Sequence, residues 1–125
     1  MESSKFNEKE MALLLTALDN FSKEEEREIK DLSMPGGNKS YIPDCEKRLR
    51  IFKSLMKRVK EEKKPIKLSE DEKEILFRTL DYFKRAEERE IKTLSLPGGN
   101  KSFIPDCRER LQVFQELLRK LHEAN

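Results

Sequence analysis

Two short strings carry the plainest chemistry in this chain. Gly36-Gly37-Asn38-Lys39-Ser40 and Gly98-Gly99-Asn100-Lys101-Ser102 each set paired glycines beside an amide, an ammonium and a hydroxyl. Successive backbone amides around such glycines can form a concavity for an anion, and a helix starting just beyond adds its positive end. A phosphate or an acidic side chain is the ligand for that arrangement. It makes Asn38, Lys39, Ser40, Asn100, Lys101 and Ser102 the candidate binding residues. A nucleotide-hydrolysing P-loop is a poor match, because the upstream glycine of G-x-x-x-x-G-K-[ST] is absent and the segment follows a helical pattern instead of a strand. The same residues have a structural use. Glycines supply positive φ, Pro and Asn fix a turn, and Tyr41-Ile42 or Phe103-Ile104 plug the end of a helical stack.

The remaining reactive groups read mainly as structural. Glu25 and Glu87 fall on apolar stripes and should be partly buried, while Glu28 and Glu90 lie one turn on. Hairpin depth sets Glu28 against Arg48 and Glu90 against Arg110, a repeated carboxylate–guanidinium pair that would fix helix register. Inward carboxylates on a helical bundle resemble half of a di-iron site, but the Glu-x-x-His motifs are missing and the lone His122 has no counterpart in the repeat, so no metal or cofactor is expected. Cys45 and Cys107 sit at helix starts, where a thiolate would be favoured. Neither has a matching histidine as base, so they read as small buried apolar groups. The run Lys57-Arg58-Val59-Lys60-Glu61-Glu62-Lys63-Lys64 is basic but broken by carboxylates, which suits a solvated helix end better than a nucleic-acid groove.

The elements that must position these residues come from a duplication. At an offset of 62 positions, Pro35–Cys45 and Pro97–Cys107 differ only by Tyr41 against Phe103, and the match extends back to Asn7 and Ser69. Each copy reads as two helices. Asn7-x-x-Glu10 and Ser69-x-x-Glu72 are capping boxes that start the first helix of each copy. Leu14, Leu18, Phe21, Ile29 and Leu32 recur at helical spacing, as do Leu76, Leu80, Phe83, Ile91 and Leu94, until Pro35 and Pro97 stop them. Pro43 and Pro105 open the second helices with Asp44 and Asp106 near the positive dipole end, and the stripes Cys45–Val59 and Cys107–Leu121 follow.

A first helix of about 26 residues would run roughly 39 Å, and one such hairpin leaves its apolar stripe in water. Two can close a core. The expected fold is therefore all-α, a tandem duplication of a long αα-hairpin forming a four-helix antiparallel bundle, with repeats at 1–62 and 70–125 around a linker at 63–69. The same logic admits a hairpin-exchanged or simple homodimer as well as a monomer.

Composition narrows the function classes. The chain has 125 residues, of which 42% are charged and 35% hydrophobic, and 27 basic against 25 acidic residues leave a net charge of +2. That length excludes a large multidomain enzyme, and the near-neutral balance gives no general reason to seek nucleic acid or a membrane. The polar start lacks a signal-peptide core and two cysteines are too few for a secreted disulfide scaffold, so a cytoplasmic location is expected. The reading that results is a non-enzymatic interaction module, a small regulator, adaptor or inhibitor offering its two loops to a protein partner. The alternative is a binder of a phosphorylated small molecule or nucleic-acid backbone through the same loops.

Overall fold

In a computed structural model that describes residues 5–125, the chain forms four helices, α1 (Glu8–Ser33), α2 (Ile42–Glu62), α3 (Glu70–Leu94) and α4 (Ile104–Ala124). No strand occurs among the described residues. The expected duplicated hairpin is what folds, since α1 packs on α2 and α3 on α4, and the two hairpins meet through α1 as a four-helix bundle. Both capping boxes form. Asn7 accepts from the Glu10 amide while Glu10 accepts from the Asn7 amide, and Ser69 and Glu72 repeat the exchange. Pro43 and Pro105 stand in the first turns of α2 and α4, where the missing N–H has no helical partner to lose.

The hairpins join about a pseudo-twofold axis, visible in reciprocal contacts. Phe21 and Phe83, equivalent positions, meet with ring centroids 5.3 Å apart; Phe21 also touches Phe52, and Phe83 touches Phe114, at 5.8 and 5.9 Å. Around this cluster, Glu10 pairs with Lys120 and the equivalent Glu72 pairs with Arg58. Lys9 pairs with Glu109 and the equivalent Asp71 with Lys47, with the charges exchanged. Because Lys9 and Glu10 reach partners eleven residues apart on α4 while Phe21 reaches α3, α1 passes obliquely across the second hairpin instead of running along one of its helices.

Burial follows from that crossing. Leu14, Ala17, Leu18, Phe52, Leu55, Val59 and their equivalents Leu76, Leu80, Phe114, Leu117 and Leu121 are sealed in one core. Phe6, Ile66 and Leu68, from the segments that enter α1 and α3, close it at the end away from the loops. Beyond the phenylalanines the stripes lose their cover. Ile29, Leu32, Leu49, Ile91 and Leu111 are only half-buried, and Leu94, Cys45 and Cys107 alone of these stripes stay buried there, so the loop halves of the hairpins are two-helix arms instead of parts of a full-length bundle.

The Glu10–Lys120 pair lies inside this core at 2.7 Å, with side-chain exposures of 2% and 9%. Both groups are further satisfied, Lys120 Nζ donating to the Lys5 carbonyl at 2.8 Å and Glu10 accepting from the Asn7 amide. At the equivalent place, burial acts to raise the Glu72 carboxyl pKa, but the Ser69 amide and the Arg58 guanidinium outweigh it and hold the group below the usual carboxylate range. Its contribution to stability is therefore present above the ordinary glutamate value and lost as pH falls through the depressed one. Removing one member of the buried pair strands the other. Lys120→Met should cost about 3–5 kcal/mol, and adding Glu10→Gln should recover part of it, as measured by urea unfolding of the single and double variants.

Candidate functional site

Each loop is a rigid turn built from its own side chains. Gly36 and Gly98 adopt φ of +89° and +87°, which other residues resist. At Gly37 and Gly99 a Cβ would stand 2.4 Å from the carbonyl oxygens of Leu32 and Leu94, so only glycine lets the chain pass the helix end. Asn38 then caps a short 3-10 turn, Lys39–Tyr41, which runs directly into α2; Asn100 does the same for Lys101–Phe103 before α4. Asn38 Oδ1 accepts from both the Ser40 amide, at 3.1 Å, and the Ser40 hydroxyl, at 2.6 Å.

This turn engages the amides just ahead of α2 but leaves those of Gly36, Asn38 and Lys39 without a partner among the described residues. Ser40 N–H goes to Asn38 Oδ1, Tyr41 N–H to the Asn38 carbonyl and Ile42 N–H to the Lys39 carbonyl, while Pro43 has none; the second loop repeats the set. Of the six candidate binding residues, Asn38, Ser40, Asn100 and Ser102 are engaged with one another, Lys39 is exposed at its tip, and the exposed Lys101 turns its ammonium back to donate to the Leu96 carbonyl at 3.4 Å. The expectation that Tyr41 and Phe103 plug the bundle is overturned. They are 57% and 55% exposed, because the arms carry the tips beyond the shared core.

A cleft lies below each tip. In the first arm, Phe21, Glu24, Glu25, Glu28, Tyr41, Asp44, Cys45 and Arg48 enclose about 340 Å³; Ala86, Glu87, Glu90, Phe103, Asp106, Cys107 and Arg110 enclose about 370 Å³ in the second. The inter-helix pair within it differs from the expected Glu28–Arg48 and Glu90–Arg110. Arg48 instead grips Glu25 through two hydrogen bonds, Nε at 2.7 Å and a terminal nitrogen at 3.2 Å, and Arg110 grips Glu87 with the same two distances. The shift is one helical turn, since Glu25 shares the level of Arg48 and Glu28 lies nearer the tip. Glu28, Glu90, Asp44 and Asp106 make no ion pair among the described residues.

The thiols belong to this lattice. Arg48 and Arg110 donate to Cys45 and Cys107 Sγ at 3.4 Å. Burial, and then the charges of Glu25 and Glu87, push both thiols above the ordinary cysteine pKa despite the arginines. Both are buried free thiols with one polar contact each. Among the described residues no group of three or more His, Cys, Asp or Glu is arranged to hold a metal.

No family model, curated protein or solved structure matches the chain. What the arms display is therefore read from their own surface. Five large hydrophobic residues stand exposed among the described ones, and four of them are Met34, Tyr41, Leu96 and Phe103, two equivalent pairs flanking the two loops. The candidate residues were found by their charge and hydrogen-bonding capacity, which passed over Met34 and Leu96. Their signal was an apolar residue at the same place in both copies, just after the helix stripe ends.

Gly37→Ala should lower stability by about 1–3 kcal/mol, because its Cβ meets backbone that cannot rotate aside; thermal melting beside the wild type checks this. Cys45 and Cys107 should alkylate slowly in the folded protein and fast in urea. Their raised pKa also means stability is full below the ordinary thiol value and declines as pH rises through the higher folded one, measurable by chemical unfolding from neutral to alkaline pH.

Proposed function

We propose that the chain is a non-enzymatic protein-interaction module, a small regulator, adaptor or inhibitor that presents its two hairpin tips to a protein partner. The supporting observation is that Met34 and Tyr41 flank one loop and Leu96 and Phe103 the other, four of the five exposed large hydrophobic side chains among the described residues. Leaving an aromatic and an aliphatic side chain in water at both equivalent positions has no packing benefit for the arm, whereas aromatic and methionine side chains are what protein interfaces concentrate at their centres. Lys39 and Lys101 add an exposed cation at each tip, the second donating to the Leu96 carbonyl. The glycines and the asparagine cap hold the tip in one shape, so little ordering entropy opposes docking.

A phosphate-binding reading draws less support, since the amides of residues 40–42 and 102–104 are already engaged and the neighbouring cleft is acidic. The buried thiols and arginine-bound carboxylates likewise favour binding over catalysis. Among the described residues no helix is long and apolar enough to cross a membrane. Two free cysteines are in keeping with a reducing compartment, the cytoplasm.

The test is native mass spectrometry on tagged protein isolated gently from its own source, comparing the wild type with Lys39→Ala/Lys101→Ala and with Met34→Ser/Tyr41→Ser/Leu96→Ser/Phe103→Ser. The wild type should carry a stoichiometric protein. Both variants should hold less of it, the serine variant least, with unchanged circular dichroism. Equal retention by the variants, or a small-molecule mass in place of a protein, would overturn the proposal.

A further inference from the structure

We infer that each tip docks a cationic, amphipathic protein segment, whose apolar residue covers the exposed pair and whose lysine or arginine enters the cleft below, and that one chain holds two such segments alike. The inference rests on the protein-binding reading and adds the partner's chemistry and number.

The apolar pair supplies the anchor and the groups under it supply the sign. Tyr41 lines the same cleft as Glu25, Glu28 and Asp44, and Phe103 the same cleft as the equivalent Glu87, Glu90 and Asp106; Glu24, also in the first cleft, pairs with Arg27 and is Ala86 in the second. One guanidinium stands in each, and it is already spent on Glu25 or Glu87. Glu28 with Asp44, and Glu90 with Asp106, are left with no ion pair among the described residues, and they lie beside an aromatic ring that is more than half exposed. A partner that covered Tyr41 with a neutral or acidic neighbour would desolvate these carboxylates without compensation. A lysine or arginine there gains a charge-assisted bond to them and can place its charge against the Tyr41 or Phe103 ring face.

The number follows from the repeat. Loop, cleft arginine, its carboxylate and the cysteine recur with the same distances in both arms, 2.7 and 3.2 Å for the ion pair and 3.4 Å to sulfur. A single asymmetric partner would have use for one tip. Two copies of one segment, as in a twofold-symmetric partner, use both, and simultaneous engagement multiplies affinity without any new contact.

The probe is a capped synthetic peptide alternating arginine with leucine, titrated into the full isotope-labelled chain by NMR, with glutamate-for-arginine and serine-for-leucine peptides as controls. Two arginine–leucine peptides should bind per chain, with shifts grouped at 24–28, 41–48, 86–90 and 103–110. Glu28→Gln/Asp44→Asn with Glu90→Gln/Asp106→Asn should weaken binding about tenfold or more, and both control peptides should bind less. Binding at one site only, shifts elsewhere, equal binding of the glutamate peptide, or no binding would overturn the inference. Self-association of the chain that the same substitutions abolish would overturn it in favour of a second copy. A chain that ignores the peptide while its serine variant still releases the native partner removes the cationic segment alone and leaves the protein-binding reading standing.

Discussion

The structure turns on one constraint: a single αα-hairpin has only one neighbour for each helix, so its apolar stripe needs a second hairpin to leave water. The duplicated chain supplies that hairpin, and the phenylalanines at 21, 52, 83 and 114 mark where the copies meet. The oblique crossing at this cluster has a second effect. It confines the contiguous core to the half of each hairpin away from the loops and leaves the other half as an arm with one helix partner, where only Cys45, Cys107 and Leu94 are buried. Tip exposure is thus a consequence of how the core is built, and the same contact that stabilises the fold determines which surface is available.

An arm without a core must be held by local means, and each local device has a visible cause. The bidentate Glu25–Arg48 and Glu87–Arg110 pairs tie the two helices where apolar cover thins, with a sealed cysteine beside each guanidinium. At the tip, the left-handed glycine, the glycine against the helix carbonyl and the asparagine cap make a turn whose hydrogen bonds close on themselves. Such a turn gives shape, and the remaining display is apolar and cationic at the tip and anionic in the cleft.

The periodic parts of this arrangement were legible from the residues. Helix starts, stops and the pairing of helices into hairpins follow from capping boxes, prolines and the 3.6-residue period, which are local signals. The ion-pair partner was not, because it depends on hairpin register. Phe21 with Phe52 and Glu25 with Arg48 fix that register from two independent contacts, while the expected Glu28 lies three residues off. The 3-10 turn at Lys39–Tyr41 adds chain before α2 begins its regular rise, and no spacing rule announces it. The buried Glu10–Lys120 pair was hidden for a different reason. Glu10 reads fully as a capping-box residue, and its second role needs a partner 110 positions away on a helix that crosses instead of running alongside.

The two copies share the apolar contacts by which they meet but invert one charge pair beside them. Lys9 meets Glu109, and the equivalent contact is Asp71 with Lys47. Under the same twofold, two first hairpins would set Lys9 against Lys47, and two second hairpins would set Asp71 against Glu109. Each homotypic pairing opposes like charges at a place where the observed pairing opposes unlike ones. Exposed pairs of this kind contribute less than about 1 kcal/mol apiece, but a choice between otherwise similar interfaces is decided by differences, and repulsion in the wrong pairing counts as much as attraction in the right one. A hairpin exchanged between two whole chains keeps the observed contacts, so these charges do not oppose it. What they oppose is like pairing with like, which keeps the repeats joined as one asymmetric unit with two equivalent tips.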